Sequence, residues 1–184
     1  MKDALFESLG VIEVPSSNPF FTLEHIEYIR GKGLPISVNS DFQKAFYPPI
    51  AIGEMGITRF YVCRLLTCSN LDSEIIHSRG GEQKTEVSIA AVLGLIEKQK
   101  WDEQGKIKDG DFAISEDKEE SGPIFNVFYV RPPKRSNFGS GLYVLILEEG
   151  GLMKGDNGLS MSLCYLDNRY KGWKTGTRFF FPFF

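Results

Sequence analysis

Histidine and cysteine are scarce in this chain of 184 residues, which holds two of the first and three of the second. His25 and His77 belong to no HxxxH or HxH pair, and Cys63, Cys68 and Cys164 form no CxxC, so no run has the spacing of a metal centre. An odd number of cysteines without framework spacing does not describe a disulfide-stapled secreted scaffold and suits a reducing compartment. Cys63 and Cys68 lie in one apolar stretch that reads as a strand, where five residues place them on opposite faces about 17 Å apart, beyond disulfide reach. Long apolar runs are also missing: none approaches the roughly 18 residues that cross a bilayer, and MKDALFESLG lacks the basic and apolar regions of a secretory signal. The expected setting is cytoplasmic, with no membrane contact.

Catalytic and nucleotide motifs are missing as well. No GxSxG surrounds a serine, and no glycine cluster matches GxxxxGK[ST] or the GxGxxG that follows a strand. The glycines of 31–33, 139–141 and 171–177 read as turn residues that supply positive φ. Asp109-Gly110-Asp111 has a fragment of a calcium-loop look without the rest of the pattern, and reads as a turn. Neither a metal nor an organic cofactor is expected.

Composition is that of a globular protein, 42% hydrophobic and 24% charged, with 15 phenylalanines as its one excess. A chain of this length buries about 70% of its unfolded surface and fits a single domain over 1–184. Turn formers punctuate the first third, at VPSSNP, GKGLP and YPP, and leave room for two short helices. Thr22 caps the first, LEHIEYIR, with Gly33 to stop it; Ser40 caps the second, DFQKAFY, which Pro48 ends. ITRFYVCRLLTC reads as a central strand covered on both faces, and SNLDSEIIHSRGGEQK as a polar loop. One long amphipathic helix follows over about 85–101, with Ile89, Val92, Leu93 and Ile96 on one face. A charged segment at 102–122 includes a short strand at Asp111 to Ser115. Beyond it, 123–131, 142–149, 159–166 and 177–184 read as strands of an antiparallel meander. The fold class is therefore α+β: an antiparallel five- to six-stranded sheet, one long helix across it, and a turn-rich helical N-terminal third.

The chain ends on RFFFPFF, six apolar residues in seven positions. Phe179, Phe181 and Phe183 face one way on a strand and Phe180 and Phe184 the other, so both faces are covered. Pro182 has no backbone donor, which makes this strand an edge or takes it out of the sheet at that point. The preferred reading is an edge strand that completes the core; the sharper one is a docking edge through which two copies pair.

Charge is unevenly spread: residues 1–130 carry 13 basic and 20 acidic side chains, residues 131–184 carry 8 and 4. Two linkers in the basic part, RPPKRSNF and NRYKGWKTGTR, are expected to emerge at the same end of the sheet. They would present Arg131, Lys134, Arg135, Arg169, Lys171, Lys174 and Arg178 beside Phe138, Tyr170 and Trp173, the composition of a protein-docking surface. The expected function is a small non-catalytic interaction protein, an inhibitor or adaptor, with a protein partner held by these residues. Single-stranded nucleic acid is the alternative occupant, since cations track phosphates and rings stack bases. A third reading makes it an enzyme, with His77 on a mobile loop acting as base beside Glu74 or Glu82. His25, between Phe21 and Ile29 on a helix, reads as structural.

Overall fold

The structure is a computed structural model that describes residues 5–15, 20–48, 51–52, 56–67, 71–101, 107–109, 125–134, 138–149, 158–168 and 172–183. In chain order its first half holds β1 (Phe6–Val14), β2 (Phe20–Phe21), α1 (Thr22–Gly31), β3 (Ile36–Val38), α2 (Ser40–Phe46), β4 (Ala51–Ile52), β5 (Thr58–Leu65) and α3 (Asp72–Ser78). A 3-10 turn at Glu82–Lys84 leads to β6 (Glu86–Val87), α4 (Ile89–Lys98), β7 (Lys100–Trp101), β8 (Ile107–Asp109), β9 (Asn126–Val130), β10 (Tyr143–Glu149), β11 (Leu159–Tyr165) and β12 (Arg178–Pro182). Asp111 to Ser115, Cys68 and Phe184 lie outside the described residues.

One eight-stranded sheet dominates, in the order β1-β5-β12-β9-β10-β11-β3, with β6 added alongside β9. The class is α+β, but the sheet is mixed rather than antiparallel. β12 and β6 run parallel to β9, and β3 runs parallel to β11. The meander is present for β9, β10 and β11, with Tyr143 opposite both Val130 and Tyr165. It does not continue into β12. After β11 the chain crosses a face of the sheet and enters between β5 and β9, which corrects the expected edge strand to an interior one.

That position explains the aromatic tail. Phe180 is fully buried among Phe60 and Phe128, stacked on the latter at 4.5 Å, while Phe179 and Phe181 face the opposite side with Tyr129 and Phe6. Pro182 is tolerated because of strand parity. The N–H groups of Phe183 and Arg178 bond to Arg59 and Phe125 on opposite flanks, so the donor that Pro182 lacks would point away from β5. On that flank the β12–β9 ladder is confined to Arg178 and Phe179. The edge expected for pairing two copies through this strand is taken by β5 along its length and by β9 at Arg178 and Phe179.

Two cores flank the sheet. On one side α1, α2 and α4 bury Ile26, Ile29, Phe42, Phe46 and Val92 against Phe60, Phe128, Leu145 and Phe180. On the other, α3 and the segment after β11 bury Ile75, Ile76 and Trp173 against Val127, Tyr129, Val144 and Phe179. Two helices, α2 and α4, begin on local caps: Asn39, rather than Ser40, accepts from the Phe42 N–H, and Ser88 accepts from the Ala91 N–H. Among the described residues no helix is long and apolar enough to cross a membrane.

Gly158 fastens the short parallel strand β3 to the sheet. Its φ is +111°, and a Cβ built there would stand 2.2 Å from the Pro35 carbonyl oxygen, the group that accepts the Leu159 N–H at 2.8 Å. Gly158→Ala is expected to destabilise by about 3 kcal/mol or more, from strain and steric overlap together. Gly31→Ala, in a helical position with nothing within 4 Å of the added carbon, should stabilise by about 0.5–1 kcal/mol. Urea midpoints of the two variants, measured side by side, check both signs.

Candidate functional site

The second core opens into a pocket of about 260 Å³. Val144 and Ile146 of β10 and Cys164 of β11 supply its sheet side, and Asp72, from the first turn of α3, supplies a carboxylate. Tyr165, Asn168 and Trp173, on or just after β11, complete the lining. The pocket forms where this face of β11 carries small residues: Ser160, Ser162 and Cys164 alternate with Leu159, Met161 and Leu163, which enter the other core.

Asp72 organises the site. Only 2% exposed, it accepts at Oδ1 from the Tyr129 hydroxyl (3.0 Å) and the Trp173 indole N–H (2.9 Å), and at Oδ2 from the Asp167 backbone N–H (3.0 Å). Asp167 returns the contact, its Oδ1 accepting the Ser73 N–H at 3.0 Å. Leu71, at the N-cap of α3, has no side-chain acceptor, so this distant aspartate satisfies one of the unpaired donors of the first turn. It does so from a left-handed backbone conformation, φ 55°, that aspartate tolerates better than most residues. Two glycines with positive φ, Gly80 and Gly81, end the helix, bonding back to His77 and Ile76.

Burial pushes the Asp72 carboxyl above its ordinary value; the bonds from Trp173, Asp167 and Tyr129 oppose this, and the charge of Asp167 adds to it. Burial and the neighbouring Asp72 charge likewise drive the Tyr129 hydroxyl well upward. Among the described residues no lysine or arginine reaches the Asp72 carboxylate.

The residues expected to form a docking surface are placed differently. Trp173 is 2% exposed and lies inside, T-shaped to Phe125 and Phe179, which corrects its assignment as an exposed ring. Arg131 is held by Glu86 at 2.9 Å and Glu82 at 2.7 Å and also donates to the Ser140 carbonyl. Phe138 is half-buried against Tyr143 and Tyr165, and Arg178 is half-buried at the start of β12. Lys134 and Lys174 are exposed, whereas Arg135, Arg169, Tyr170 and Lys171 lie outside the described residues. The two linkers begin at one end of the sheet, but the second crosses to the other end, where Arg178 pairs with Asn126. Arg131 and Arg178 are thus separated along the sheet by five residues of extended chain, about 17 Å.

Neither histidine lines the pocket. His77 stands exposed in the last turn of α3, a helix rather than the mobile loop expected for it. His25 is half-buried 3.5 Å from Glu97, and burial lowers its pKa. Sequence reading missed Asp72, Tyr129 and Asp167 altogether. A signal was present for the first: acidic residues at 72 and 74, then Ile75 and Ile76, then Gly80-Gly81, which is the order of a helix start, apolar face and stop.

Removing the carboxylate should be costly. Asp72→Ala orphans two buried side-chain donors and a backbone N–H, each worth about 1–3 kcal/mol when left unpaired, whereas Tyr129→Phe deletes one bond and should cost about 1–2 kcal/mol. Thermal unfolding should resolve the difference, at about 2–4 °C per kcal/mol for a chain of this size. The pH dependence of Asp72 runs opposite to that of an ordinary salt-bridged acid. Because its folded pKa is raised, its linked stability is full below the unfolded value and is lost as pH rises through the folded one. Urea unfolding of the wild type and Asp72→Asn across that window should show the wild type alone losing this increment.

No protein-family model matches the chain, and no curated protein or solved structure is similar enough to it to count as a relative. Function is therefore to be read from the chemistry of the site.

Proposed function

We propose that this is a non-catalytic binding protein that seats its ligand, a small molecule or one inserted side chain of a protein partner, in the pocket above β10 and β11. The observation that carries the reading is the state of Asp72: its carboxylate is held by three donors belonging to three separate parts of the fold. A proton-transfer group needs freedom to change partners, and a nucleophile needs a base beside it. Here the acid is pinned, Cys164 is the lining nucleophile, and neither histidine lines the pocket. An apolar floor with a few fixed polar groups is the usual make-up of a recognition site.

A cytoplasmic setting and a role as inhibitor or adaptor belong to the same reading, the first because three cysteines without framework spacing suit a reducing compartment. Single-strand binding draws less support, because Trp173 is inside and Arg131 is engaged by two glutamates. A fragment library screened by amide NMR tests the proposal. The expected result is saturable shifts at Val144, Ile146, Asn168 and the Trp173 indole; a library of mixed chemistry that leaves these resonances unmoved overturns it.

A further inference from the structure

We propose that the pocket is built for an organic ammonium group on a short aliphatic stem, with Asp72 receiving the charge and Val144 and Ile146 receiving the methylenes. The inference rests on the binding reading above and specifies its ligand.

Charge decides first. The Asp72 carboxylate is buried, and the three groups that bond to it are neutral, so its charge has no counterion among the described residues. An ionised group in that position is expensive unless it is paired. An anionic ligand would add to that cost, since no basic side chain lines the pocket. A neutral ligand would leave it in place. A cation removes it, and the acceptor capacity fits: a carboxylate offers about four lone-pair positions, of which Oδ1 uses two and Oδ2 one.

The remaining walls suit the same guest. Trp173 lines the cavity, and an aromatic residue attracts a cation when the charge approaches its ring. Asn168, exposed at the rim, carries an amide oxygen that can accept a further N–H. The volume, near 260 Å³, falls just under the range of about 300–1,000 Å³ for drug-sized ligands. The occupant is therefore small: a free alkylamine, or the side chain of one lysine from a protein partner. Both sources share the chemistry.

Four probes separate these outcomes, each titrated into the intact protein while the Trp173 indole N–H resonance is followed, assigned by comparison with Trp101→Phe. They are n-butylamine, its neutral counterpart n-butanol, the anion butyrate, and Nα-acetyl-lysine N-methylamide. The expected result is saturable binding of at least one ammonium probe, at least tenfold tighter than butanol, with no binding of butyrate. Preference for the lysine amide identifies a protein side chain as the natural guest, and preference for butylamine a free amine. Butanol binding as well as either ammonium would overturn the ammonium assignment while leaving the pocket a binding site; silence from all four would overturn both. Asp72→Asn, where it folds, should reduce the amine-to-alcohol preference to near one, and an unchanged preference would overturn the role of the carboxylate. The wild-type comparison stands without that variant.

Discussion

A single carboxylate holds together parts of the chain that are nearly a hundred residues apart. Asp72 joins α3 to the central strand β9 through Tyr129, to the turn after β11 through Asp167, and to the crossing segment through Trp173. Without those bonds the second core would be covered only by a two-turn helix and an irregular stretch, neither stable alone. The arrangement is costly because the charge is buried, and it is kept in register because all three donors point at one group. Position and chemistry come from the same residue: what fastens the cover over the sheet also places an acid at the wall of the cavity beneath it.

The other organising constraint is topological. β12 joins β5 to β9, and thereby the N-terminal pair β1–β5 to the meander. Its residues serve both layers, Phe180 under the helices and Phe179 and Phe181 under α3 and Trp173. The phenylalanine-rich tail is thus a central rib of the sheet, which is why it is apolar on both faces.

Much of this was legible in the residues and some was not, for reasons that can be named. Leu159, Met161 and Leu163 alternate with small polar residues, so β11 could be read directly, and Ile89, Val92, Leu93 and Ile96 gave α4. β1 escaped because Gly10, at φ 117°, bulges the strand between Ser8 and Gly10 and interrupts the alternation. β3 is three residues long and gains its place only from β11. α3 was hidden in a polar run because Leu71 offers no side-chain cap, and the acceptor for the Ser73 N–H, Asp167, lies far along the sequence. Trp173 was misplaced for a related reason: a basic, glycine-rich linker reads as exposed, whereas its indole finds a buried acceptor that only the fold supplies.

The place of β12 also orders the way the molecule is made. During synthesis β5 leaves the ribosome more than a hundred residues ahead of the strand that will lie between it and β9, so its inner edge stays unsatisfied until β12 follows. Hydrophobic strands waiting with open edges are the state from which chains aggregate. A polypeptide interrupted between Tyr165 and Arg178 therefore holds the β1–β5 pair and the β9–β10–β11 meander as two half-sheets, without the strand that lies between β5 and β9.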